Sequence, residues 1–73
     1  MPQATQELRD KFPGHDAEAF EVLKANFNDH AGIIYPKVKG YQPTERESDA
    51  IDYLFHEWDY GYMLEDPRKV KHG

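Results

Sequence analysis

Four residues, Thr44-Glu45-Arg46-Glu47, constrain this chain most, because they spell the start of a helix. The Thr44 hydroxyl is placed to accept from the Glu47 amide while the Glu47 carboxylate reaches back to the Thr44 amide, a capping box. Behind the box, Ile51, Leu54, Phe55 and Trp58 recur at helical spacing, with Tyr62 one turn on. On a wheel at about 100° per residue they share one side, which the spacing assigns to the core. The helix is predicted from residue 44 to about residue 60, with Gly61 ending it.

A second amphipathic helix is predicted over residues 16 to 28. Phe20, Leu23 and Phe27 stand at i, i+3 and i+7, and Asp16 and Glu18 suit the positive end of the helix. Before it, TQELRDK forms a short helical segment with Leu8 and Phe12 turned inward, stopped by Phe12-Pro13-Gly14. The stretch GIIYPKVKGYQP mixes β-branched and aromatic residues with Gly and Pro, which admits a minor β element or an ordered loop around residues 33 to 41. Pro36 confines any strand there to an edge or a turn. The expected fold is mainly α: a small single domain with two principal amphipathic helices, a short N-terminal helical segment and room for a minor β element. Residues 1–66 form the compact domain; residues 67–73, with only Val70 to bury, form a mobile basic tail.

At 73 residues the chain has room for one small core, and only about 60% of the unfolded surface is buried in so short a domain. It has no cysteine, which excludes disulfide staples, thiolate zinc sites and a cysteine nucleophile. Packing must supply the stability, and four Phe, five Tyr and one Trp are the residues that can do it. Ser48 is the only serine and no histidine stands in an obvious supporting position; no glycine-rich phosphate loop is present. His56-Glu57 does not begin a zinc-binding HExxH, since position 60 is Tyr. Asp52, His56 and Asp59 have the spacing of a metal or acid–base cluster, but no second histidine lies a turn from His56. The expectation is a protein that is not an enzyme, with no cofactor and no metal. No stretch reaches the roughly 20 apolar residues that span a bilayer, and MPQATQELRDK lacks the apolar core of a signal peptide.

Charge is unevenly spread. Residues 1–66 carry all 14 acids and six of the nine bases; Arg68, Lys69 and Lys71 follow in the tail, for a net of −5. Between Glu45 and Asp66, eight acids face Arg46 alone. Such a surface repels nucleic acid and anionic membrane and attracts basic protein surfaces. One side of the 44-to-60 helix carries Glu45, Asp49, Asp52, His56 and Asp59. The side opposite the core stripe carries Tyr53 and Tyr60, with Arg46 and Glu57 beside them. The two tyrosines are either covered by the loop or the first segment, or they are exposed anchors ringed by carboxylates, the anatomy of a protein-binding hot spot. On the second reading Asp49, Tyr53, His56, Glu57 and Tyr60 bind a partner, and Arg68, Lys69 and Lys71 add a tail contact.

In size, acidity and lack of catalytic equipment, the chain that carries TERESDAIDYLFHEWDYGYM resembles the small phage-encoded proteins that bind bacterial RNA polymerase and block or redirect transcription. The resemblance lies in the character of the whole chain, so no functional residue is carried over from it. It implies binding to a polymerase subunit and interference with promoter engagement. The expected partner is a larger protein with a basic surface, RNA polymerase on this resemblance, with no direct nucleic acid and no membrane; the free protein is expected to be a monomer in the cytoplasm, that of a host bacterium if phage-encoded. Two alternatives are a DNA mimic, whose carboxylates imitate phosphates, and a helical adaptor or regulatory subunit.

Overall fold

The computed structural model describes residues 6–69. In chain order it holds α1 (Gln6–Asp10), α2 (His15–Leu23), β1 (Phe27–His30), β2 (Ile33–Pro36), α3 (Glu45–Trp58), β3 (Gly61–Tyr62) and a closing 3-10 turn (Pro67–Lys69). The strands form one mixed sheet in the order β1-β2-β3, with β1 and β2 antiparallel and β2 and β3 parallel. The chain is therefore a mixed α/β domain, which corrects the expectation of a mainly α fold. A parallel pair needs a crossover of a dozen residues or more, and the 44-to-60 helix is that crossover.

The correction has a local cause. The predicted 16-to-28 helix stops at Leu23, and Phe27 opens β1. Spacing of i, i+3 and i+7 fits one continuous helix, but Phe27 reaches the same core from a strand, packing with Leu23 and Ile34. Asn26 makes the break: its side-chain amide donates to the Glu47 carboxylate at 2.9 Å and to the Tyr41 hydroxyl at 3.1 Å. Those bonds hold the chain where α2 would have continued.

The β1–β2 turn is made by Ala31 (φ 53°) and Gly32 (φ 79°). Positive φ at both central residues is the two-residue turn whose twist matches a hairpin. Glycine adopts it freely, whereas alanine is strained. Ala31→Asn should relieve the strain, raising stability by about 0.5 to 1 kcal/mol in chemical unfolding.

Pro36 is expected at an edge or in a turn, yet it ends β2, the central strand. The pairing explains this. Lys37 N–H donates to the Asn26 carbonyl at 2.9 Å, so by alternation the adjacent Phe27–Pro36 pair exchanges no hydrogen bonds, and β1 loses nothing to proline. On the other edge, Gly61 and Met63 donate to the Gly32 and Ile34 carbonyls at 2.8 and 3.0 Å. The next β2 donor would be the residue-36 amide, which proline lacks, and β3 ends at Tyr62.

α3 begins as predicted, with both halves of the capping box formed at Thr44. It ends at Trp58 rather than residue 60, because Asp59 takes the left-handed conformation (φ 58°) and Gly61 opens β3. Its core face differs from the predicted stripe. The buried residues are Glu47, Ala50, Tyr53 and Leu54, whereas Phe55 is 40% and Trp58 58% exposed. The helix is turned so that Tyr53 meets Phe12 of the N-terminal segment, ring centroids 5.3 Å apart, and Ala50 is fully buried in the shared core. A small residue lets two helices approach closely, and a wheel drawn from bulky residues passes over it. Tyr62, placed on the predicted stripe, instead sits in β3 and packs on Phe27 at 6.4 Å.

Arg46 locks the N-terminal segment onto this helix. Its guanidinium lies 4.2 Å from the Phe12 ring centroid, donates to the Lys11 carbonyl at 2.7 Å and bonds Glu18 of α2 at 2.7 Å. Of the segment expected to be mobile, Pro67–Lys69 forms a 3-10 turn tied back by Arg68, while residues 70–73, including Lys71, lie outside the described residues.

Candidate protein-docking surface

The rotation of α3 leaves an apolar stripe uncovered. Ile51, Phe55 and Trp58 follow one another at i, i+4 and i+7, and Phe55 and Trp58 are exposed. Beside the stripe runs an open groove of about 410 Å³. Ile51, Phe55, Tyr60 and Tyr62 supply its apolar lining, together with Pro43, and Ser48, Asp49 and Asp52 add polar groups. No cation lines it. Tyr60 is fixed there by an edge-on contact with Phe20 of α2 at 5.6 Å, so the groove wall is braced from behind.

The five residues proposed from sequence as partner contacts divide between two sides of α3. Asp49 lines the groove, and its carboxylate bonds Lys11 at 3.0 Å, a contact that raises the lysine's pKa. Tyr60 lines the groove directly. His56 stands next to it: its ring meets the Phe55 ring edge-on at 5.1 Å and its Nε2 lies 3.5 Å from Asp52. Tyr53 is only 3% exposed, so its ring belongs to the core, and burial, with Glu57 and Asp16 nearby, pushes its pKa up. Glu57 lies near Tyr53, and among the described residues its buried Oε1 has no hydrogen-bond partner. Sequence reasoning placed Asp52 on the acidic side of the helix but assigned Ile51, Phe55, Trp58 and Tyr62 to the core, so it missed them as groove and surface residues. Their spacing is that of a core stripe, and only the small Ala50 one position before Ile51 hints that the buried face lies elsewhere.

Arg68 and Lys69 sit apart from this groove, at the closing turn. Asp66 accepts from Arg68 Nε at 3.0 Å and from Nη2 at 2.8 Å, and these bonds hold its pKa down at about 2. Among the described residues no group of three or more His, Asp or Glu side chains is placed to hold a metal ion, so Asp52 and His56 form a pair without a third ligand.

Among the described residues no helix is long and apolar enough to cross a membrane. Neither the curated proteins nor the solved structures contain a match to this chain. A family profile described as phage Pam3 gp59 related protein does match, over residues 1–69, which takes in every described element and the whole groove. The chain is therefore a phage protein belonging to the phage Pam3 gp59-related family.

Proposed function

We propose that this phage protein acts by docking rather than by catalysis, covering a basic surface of a larger host machine with the exposed side of α3. The observation that carries the reading is the Ile51–Phe55–Trp58 stripe, two of whose members are exposed large hydrophobics in a chain with few of them. Trp is the residue most enriched at binding hot spots, and a carboxylate rim steers a basic partner toward it. Ser48 lines the groove with Asp49 and Asp52, but no histidine does, which favours binding over hydrolysis. The acidic balance of the chain and its small size support a nucleic-acid-handling machine as the partner, with bacterial RNA polymerase as the specific candidate.

Titration of purified bacterial RNA polymerase against immobilised protein tests this. Phe55→Ala combined with Trp58→Ala should weaken binding by up to about 1,000-fold, since each hot-spot truncation costs about 2 kcal/mol, while the far-ultraviolet spectrum stays unchanged. The same titration across salt separates docking from DNA mimicry. An aromatic-anchored interface keeps most of its affinity as salt rises, whereas carboxylates standing in for phosphates lose theirs steeply. Equal binding by wild type and the double variant would remove the stripe from the account.

A further inference from the structure

We propose that the face of the sheet turned away from the helices binds the phosphate backbone of a nucleic acid. The site is independent of the docking surface, and none of its residues lines the α3 groove.

Strand alternation defines the face. Phe27 and Ile34 belong to the core shared with the helices, so Asn28 and Tyr35, directly opposite one another in the register, project from the other side. Tyr35 is 4% exposed although it lies outside that core; the closing turn covers it, with Arg68 Nη2 donating to its hydroxyl at 3.2 Å. Between the C-terminal end of β2 and this turn opens a second groove, of about 370 Å³. Lys37, Lys39, Arg68 and Lys69 line it, with Glu65 and Asp66 among them. Four cations against two acids is a positive surplus in a chain of net −5.

The acids pair with two of the four cations and leave the other two unpaired among the described residues. Asp66 grips Arg68 through Nε and Nη2, which fixes the plane of the guanidinium, and among the described residues no hydrogen bond engages Nη1. Glu65 approaches only Lys39, at 3.6 Å across an exposed pair. Lys37 and Lys69 stand in no ion pair among the described residues. An oriented guanidinium flanked by two lysines is a donor set for phosphate oxygens. The cations lie on two separate stretches, 37–39 and 68–69, along an open groove. Spaced phosphates on a backbone match that layout, whereas a single anion calls for donors that close around it.

Fluorescence anisotropy of a labelled DNA duplex of about 20 base pairs, titrated with the full chain, tests the site. The expected result is weak, sequence-independent binding whose constant falls between about 50 and 200 mM salt with a log–log slope of about −2 to −3, for roughly three phosphate contacts. Lys37→Glu with Lys69→Glu should lose at least tenfold in affinity, and Phe55→Ala with Trp58→Ala should lose none, so failure here and failure of the docking surface read out separately. Asp66→Asn removes a negative charge and would tighten binding if net charge alone acted; weaker binding is expected, because Arg68 loses its orientation. No anisotropy change for the wild type, or an unchanged constant for the lysine variant, overturns the proposal. Displacement of the duplex by millimolar inorganic phosphate at matched ionic strength would overturn it in favour of a free-anion site, and tighter binding by Asp66→Asn would overturn the positioning role.

Discussion

Tyr53→Ala should cost the domain a large part of its stability, whereas Trp58→Ala, five residues along the same helix, should cost it little. A chain of this length has about 4 to 11 kcal/mol of stability in total. Tyr53 is 3% exposed and stacks at a tilt on Phe12, which is itself fully buried. Truncating a buried aromatic to alanine costs about 3 to 5 kcal/mol from lost transfer energy and the cavity left behind. The Phe12 ring would also lose its neighbour, and Arg46, stacked on that ring, would lose its support. Trp58 is 58% exposed and leaves no cavity, so its loss should stay below about 1 kcal/mol. Urea denaturation followed by far-ultraviolet circular dichroism checks both; comparable losses for the two variants would mean that the helix is not rotated as described.

Glu47→Ala should cost about 3 kcal/mol, far more than an exposed capping residue would. Only 5% exposed, Glu47 accepts from the Thr44 amide at 2.9 Å, from the Tyr41 hydroxyl at 2.6 Å and from the Asn26 amide at 2.9 Å. One carboxylate therefore joins the end of α2, the loop before α3 and the start of α3. Its loss removes a cap worth about 1 kcal/mol and strands two further polar groups, each at about 1 kcal/mol or more. The network also sets a pH dependence. Burial opposes the charge on Glu47, but the hydrogen bonds from the Thr44 amide, Tyr41 and Asn26 outweigh it and leave the pKa below its ordinary 4.5. Asp66, held by Arg68, is lowered from 3.8 to about 2. Groups with lowered folded pKa values contribute stability that is complete above their unfolded values and is lost as pH falls through the folded ones. Stability should thus hold steady above about pH 5 and decline toward pH 2. Glu47→Gln should flatten that decline and lower the plateau. A wild-type midpoint that does not change between pH 6 and pH 3 would contradict the network.

The sequence made the start of α3 legible because a capping box is a local device, complete within four residues. The same was true of Leu8 and Phe12, whose inward placement follows from a short amphipathic turn ended by Pro13-Gly14; both are buried. The sheet was not legible, because its strands are short and β3 has only two residues. Phe27 satisfied a helical period while serving a strand, and Ala31-Gly32 is a weaker hairpin mark than Asn-Gly. The docking surface was hidden by the same ambiguity. Spacing groups Ile51, Phe55 and Trp58 on one face, but whether that face is core depends on what packs on the other one, and here α1 and Ala50 decided it. Asp49 and Tyr60, named from sequence as partner contacts, line the groove, but Tyr60 reaches it because the helix ends at Trp58 and the chain turns at Asp59, not from the side opposite the stripe where the helical wheel placed it.

The central claim is that the exposed side of α3 is where a host protein sits, and the single tryptophan of the chain is the probe for it. With 5-fluorotryptophan incorporated, Trp58 gives one ¹⁹F resonance, to be followed while purified bacterial RNA polymerase is added. The account predicts that this resonance shifts and broadens to saturation at a stoichiometric ratio, and that Phe55→Ala abolishes the change in a protein that remains folded. A resonance that stays sharp and unmoved while the polymerase binds, or while it fails to bind at all, would contradict it.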